Sequence, residues 1–165
     1  MNPVTLAAVQ KVAALLTTND AIGNELNILT ALALQPVPKL STLQVYLSAA
    51  PGALTDSRQM ISYPRVSIYC NKIVNKQQEK FRSLSGEVSV VSEVAITDNL
   101  LDDVQNALHF YVEAVTAILR RSIGDWGDGF FFSGEYEVAV QAPAPGGSGF
   151  VQSAKITCEL GISRT

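Results

Sequence analysis

Few residues in this chain have the types and spacing that chemistry demands. His109 is the only histidine of the 165-residue sequence. A nucleophilic triad needs a base beside a nucleophile and an acid to orient it. No G-x-S-x-G elbow accompanies His109, so it reads as a structural residue. The segment GDWGDGFFFSGE, residues 124–135, resembles a metal or phosphate loop at first sight. Counted from Asp125, however, Gly127 and Gly129 stand where a calcium loop needs oxygen ligands. A phosphate cradle would open a helix, and Asp125 and Asp128 would repel the anion. The segment then reads as a tight turn, with Trp126, Phe130 and Phe131 serving either core packing or a subunit contact, where aromatics are favoured. Asp102 and Asp103 are adjacent, so on a helix they point about 100° apart and form no carboxylate dyad. Their place is the positive end of a helix dipole. Lys72, Lys76, Lys80 and Arg82 cluster against a single acid, Glu79. They read as a solvated hairpin tip, or as an electrostatic contact to an acidic partner surface or to DNA passing nearby. Cys70 and Cys158 lie in apolar alternation, which suits free, buried thiols, with a disulfide between them as the alternative that geometry decides. No Cys/His set has zinc-ligand spacing, and no cofactor is expected.

The elements that position these residues start from composition. At this length one domain spanning 1–165 is expected, and folding would hide roughly 70% of the unfolded chain's surface. Charged residues make up only 16% of the chain, against about 25% in typical soluble domains. Weakly charged surface is often covered by partners or by further copies of the chain. The net charge of −3 offers no basic excess for nucleic-acid binding. The N-terminus lacks a basic start before its apolar part, and the apolar run at 26–38 is too short for a membrane span. A soluble protein made in a cytoplasm is expected.

Leu6, Val9, Val12, Ala13 and Leu16 recur at helical spacing, predicting a helix over 5–18, and a short second helix is predicted over 24–35, ended by Pro36 and Pro38. LSTLQVYLSAA and YPRVSIYCNKIV alternate as strands, separated by the loop PGALTDSRQ. A third strand, about 81–97, is longer than usual and must curve or extend as an arm; Gly86 within it suggests a bulge or a strong bend. Residues 99–122 carry the clearest apolar stripe, with Thr97, Asp98 or Asn99 as cap and Gly124 as C-cap. SGEYEVAVQ and FVQSAKITCELGI close the chain as a hairpin, with its tip at 141–149. Pro143 and Pro145 stiffen that tip and Phe150 follows it. The order α-β-β-β-α-β-β predicts an α+β fold: a curved, mainly antiparallel or mixed sheet with helices packed on one face.

In YPRVSIYCNKI, FRSLSGEVSVVSEVAITDN, LLDDVQNALHFYVEAVTAILRRS and GEYEVAVQAPAPGGSGFVQSAKITCEL, spanning about 40–163, the chain resembles the tail terminator (tail-completion) proteins of tailed bacteriophages. The resemblance implies a structural subunit, not an enzyme, that forms a homo-oligomeric, hexameric ring. Such a ring caps the last tail-tube ring, stops polymerisation and offers the docking surface for the head-side connector or stopper. DNA only passes through the lumen, and no membrane is involved. The protein would be assembled in the host bacterial cytoplasm and reside in the virion tail or neck. Lys72, Lys76, Lys80, Arg82, Trp126, Phe130, Pro143, Pro145 and Phe150 are the expected partner or subunit contacts. Residues 20–40 have no place in the family pattern. A head–tail adaptor, stopper or minor tail protein is the near alternative, and a soluble α+β binding module the alternative from another class.

Overall fold

The computed structural model describes residues 2–34, 38–47 and 62–165. Helix α1 (Val4–Thr17) and helix α2 (Ala21–Leu32) are joined by one 3-10 turn. Asn19 and Asp20 make the reversal with φ of 54° and 52°, a left-handed conformation that Asn and Asp tolerate better than other L-residues. Strands β1 (Gln44–Tyr46), β2 (Arg65–Asn75) and β3 (Leu84–Asp98) follow. Helix α3 (Leu101–Arg121) then leads into β4 (Gly124–Gly127), β5 (Phe130–Val140), β6 (Ala144–Gly146) and β7 (Gly149–Arg164). The second helix begins earlier than its apolar spacing suggests. The expected loop at 51–59 and Pro36 lie outside the described residues.

The strands form one mixed sheet in the order β1-β2-β3-β7-β5-β4, with β6 pairing β7 beyond the end of β5. Only β1 and β2 run parallel. Its spine is the β3·β7 ladder, unbroken from Leu84↔Arg164 to Asp98↔Phe150. Strands of this length do not stay flat, and the sheet curls. Alternation sorts the spine by face. Val88, Val90, Val94 and Ile96 of β3 and Ala154, Ile156, Cys158 and Leu160 of β7 are all buried. Helix α1 packs on β2 and β3, and α3 packs on β3 and β7. The α+β architecture with helices on one face is therefore present. Each fully buried Val, Leu or Ile contributes about 1.5–3 kcal/mol, and α3 alone buries Val104, Leu108, Val115, Ile118 and Leu119. Helix α2 packs on α3 rather than on the sheet, where buried Glu25 pairs with Arg121.

Four expectations are corrected. The bulge lies on β2 between Cys70 and Lys72, not at Gly86. Gly86 is instead a close approach: a Cβ there would lie 2.9 Å from the Val74 carbonyl carbon and 3.0 Å from the Lys76 nitrogen. Helix α3 ends at Ser122, whose N–H donates to the Leu119 carbonyl, and Gly124 opens β4 with φ 132°. Its N-cap is Leu100, and Asp98 acts one step earlier by accepting the Leu100 N–H at 3.1 Å. Residues 124–135 hold the expected tight turn, where Gly127, Asp128 and Gly129 all take positive φ, but it joins two strands, β4 and the start of β5, that the sequence did not assign.

Candidate functional site

The cationic cluster sits on the β2–β3 hairpin. Lys72, Lys76, Lys80 and Arg82 are all exposed. Two of the four are engaged internally: Lys76 pairs with Glu87, and Arg82 lies 3.4 Å from Glu79. The register explains the first pair, since β2 and β3 fold Lys76 back beside residues the sequence separates from it. Between Lys80 and Arg82 stands Phe81, 98% exposed and held at φ 66°. A fully exposed aromatic ring in a left-handed backbone is uncommon, and the charge run of the sequence conceals it.

The 124–135 hairpin sorts its aromatics by exposure. Phe130 is buried, and the Arg164 guanidinium lies 5.0 Å from its ring centroid. Trp126 is half-buried. It donates Nε1–H to the Ser122 carbonyl at 2.6 Å and packs 5.3 Å from Phe132. Both residues hold the fold; the ring offered to solvent is Phe131. Lys11 of α1 fastens the turn, donating to the Trp126 carbonyl at 2.7 Å and pairing with Asp128 at 2.9 Å. That ammonium holds the Asp128 carboxyl below the usual carboxylate range.

At the closing hairpin, β6 continues the ladder through Ala144↔Val151, Pro145↔Phe150 and Gly146↔Gly149. The reversal is confined to Gly147 and Ser148, shorter than the expected tip at 141–149. Phe150 also pairs with Asp98 and packs on the core, while Pro145 is exposed and Pro143 half-buried. The predicted contact residues therefore fall at two ends of the sheet. Arg82 lines a surface cavity of about 380 Å³ with Asp128, Gly129 and Arg164. Pro145 and Phe150 lie at the opposite end, beside the start of α3.

Cys70 and Cys158 are free. Each opposes Val90 from a different side of β3, so two strand spacings of about 4.8 Å separate them, beyond disulfide reach. Burial pushes the Cys158 thiol up to about 12. His109 is exposed on α3, not in the core. Among the described residues no group of three or more His, Cys, Asp or Glu could hold a metal ion.

The lateral edges of the sheet escaped the sequence reading. Strand β4 pairs β5 only over Phe130–Phe132, and β1 pairs β2 only over Arg65–Ser67. Among the described residues, 133–140 of β5 and 68–75 of β2 have no strand on their outer side. Val138 and Val140 sit on the helix side of the sheet, opposite Ile156 and Ala154. They are nevertheless 37% and 50% exposed, because α3 covers β3 and β7 but does not reach over them. No family model matches this chain, and no curated protein matches it.

Proposed function

We propose that this chain is a structural subunit of a phage tail or neck, a tail terminator that assembles into a ring of six copies. The ring caps the tail tube, ends its polymerisation and presents the docking surface for the head-side connector. The observation that carries this reading is the one-sided layering: helices occupy one face of a long curled sheet whose two sides end in partly unpaired strands. Such a subunit leaves main-chain hydrogen-bonding capacity pointing sideways, where a head-to-tail neighbour can meet it, and head-to-tail contacts that close by rotation make rings. The tip bearing Lys80, Phe81 and Arg82 supplies an exposed aromatic flanked by cations, suited to an acidic partner surface at one rim.

Native mass spectrometry and negative-stain imaging of the purified chain, alone and with tail tubes, test this reading. Rings or capped tubes are expected. A species that stays monomeric and ignores tubes would overturn it. The paired change Lys80→Glu and Phe81→Ser is expected to weaken docking to the tube or connector while leaving the melting temperature unchanged.

A further inference from the structure

We infer that neighbouring copies of this chain join through one continuous sheet, the free edge of β5 in one subunit pairing antiparallel with the free edge of β2 in the next. This inference rests on the ring reading above and names the surface that would build it.

The hydrogen-bond ladder shows which groups wait at each edge. Gln141 donates its N–H to the Ser153 carbonyl at 2.9 Å. In an antiparallel pair the inward and outward residues alternate, so Ala139 and Glu137 also face β7. The N–H and C=O groups of Tyr136, Val138 and Val140 point out of the sheet. On β2, Lys76 donates to the Ser85 carbonyl at 2.8 Å, which turns Val74 and Lys72 toward β3 and leaves Ile73 and Asn75 pointing outward. Above the bulge, Gln44 donates to the Pro64 carbonyl from the β1 side. The same alternation sends Cys70 outward once β1 has ended.

Side chains and directions then agree. The outward residues of both edges lie on the helix side of the sheet, so pairing sets Val138 and Val140 beside Ile73, itself 39% exposed, and Cys70. Strand directions alternate from β2 through β3 and β7 to β5, so a copy placed beside β5 by rotation about an axis along the strands presents β2 antiparallel to it. Charge selects the same partner. The open stretch of β5 carries Glu135 and Glu137, and that of β2 carries Lys72; Lys72 and Glu135 also line one cavity of their own subunit with Glu87 and Glu159, so Glu137 is the acid left for a neighbour. Two β5 edges repel one another, as do two β2 edges, whereas β5 against β2 attracts. Like charges directly opposite destabilise a strand pair and opposite charges stabilise it. The bulges, between Phe132 and Tyr136 on one edge and Cys70 and Lys72 on the other, further restrict which strand fits. Self-paired dimers are thereby disfavoured, and the head-to-tail contact that closes rings is left.

The test is the self-association of the full chain, measured by sedimentation and native mass spectrometry, with circular dichroism melts as the folding control. Val138→Pro removes an outward donor and spares the β5·β7 ladder, so at least a tenfold loss of association is expected. Lys72→Glu and Glu137→Lys are each expected to weaken association tenfold or more, and the two together to restore it. Val138→Cys or Val140→Cys, oxidised in the presence of native Cys70, is expected to give covalent dimers and higher oligomers. If the unaltered chain assembles and these variants assemble equally well without cross-linking, the edge pairing is wrong and the ring reading stands on another surface. If the unaltered chain never assembles, both fall.

Discussion

Replacing Gly86 by Ala asks whether the β2–β3 hairpin is set by close backbone approach. A Cβ at position 86 would sit 2.9 Å from the Val74 carbonyl carbon and 3.0 Å from the Lys76 nitrogen, where carbon–carbon contacts relax only at about 3.5–4.0 Å. Both obstacles are main chain, so no rotamer change relieves them. The β2 backbone must retreat, which stretches the 2.8 Å bond from Lys76 N–H to the Ser85 carbonyl. It also loosens the Asn75 Oδ1 clasp on the Gln77 and Ser85 N–H groups, at 3.1 and 3.2 Å. Overpacking costs about 1–3 kcal/mol and the weakened bond about 1 kcal/mol. The lower chain entropy of Ala in the unfolded state offsets about 0.4–1 kcal/mol, leaving a net loss of about 1–3.5 kcal/mol. With a urea m-value of about 2 kcal/mol/M, the midpoint should fall by about 0.5–1.8 M. Circular dichroism and the fluorescence of Trp126, the only tryptophan, should follow one transition. Gly147→Ala is the internal comparison: φ is 61° there, but nothing lies within 4 Å of the added Cβ. Its cost is the left-handed conformation alone, about 1–2 kcal/mol before the same offset. If Gly86→Ala costs no more than Gly147→Ala, the close-approach reasoning fails.

Three further outcomes follow from the site geometry. Tyr111 accepts the Ser41 N–H at 2.8 Å and donates to the Ser41 carbonyl at 2.9 Å; because Ser41 is exposed and water can replace the hydroxyl, Tyr111→Phe should cost about 1–2 kcal/mol by urea denaturation. Lys11 depresses the Asp128 carboxyl in the folded chain, so that ion pair stabilises above the unfolded carboxylate pKa and is lost as pH falls through the lower folded value. The melting temperatures of wild type and Asp128→Asn should therefore differ at neutral pH and converge below about pH 4. A small alkylating reagent at pH 8 should modify Cys70 in the folded chain and leave Cys158 unmodified until urea is added, because burial raises both thiols but encloses only Cys158; equal rates would contradict the placement of Cys158 in the core.

Periodicity made part of this fold legible. Helix α3 follows from the stripe Leu108, Tyr111, Val115 and Leu119, with acids in its first turn and Arg120 and Arg121 in its last. β7 follows from its alternation through Ala154, Ile156, Cys158 and Leu160. At 124–135 the tight turn was legible from its glycines, but the strands it joins were not, because the Gly, Asp and Phe around it show no period of two. The candidate surfaces divided in the same way. A run of cations is visible in sequence, but the pairing of Lys76 with Glu87 requires the β2·β3 register. The alternation of Val138 and Val140 marks a strand, but only the reach of α3 decides how far they are covered.

The helix-free face shows why the edges, rather than the faces, hold the unmet bonding capacity of this sheet. No helix packs there, yet Ser67, Ser85, Ser89 and Val91 are buried. Long neighbours lie over these small residues and satisfy one another. Arg65 donates to Ser67 Oγ at 3.2 Å while stacking 4.2 Å from the Tyr46 ring centroid. Tyr69 donates to Glu93 at 3.2 Å, and Ser89 donates to Glu159 at 2.6 Å. A buried polar group is costly only when unpaired, so the buried polar groups named on this face are already satisfied, and Phe131 is the large apolar side chain it leaves exposed. The outward amides of β5 and β2 have no such cover among the described residues, and an open strand edge is the element most prone to recruit another chain. On the proposed reading, the same sheet would associate sideways, along its strand order, rather than face on face.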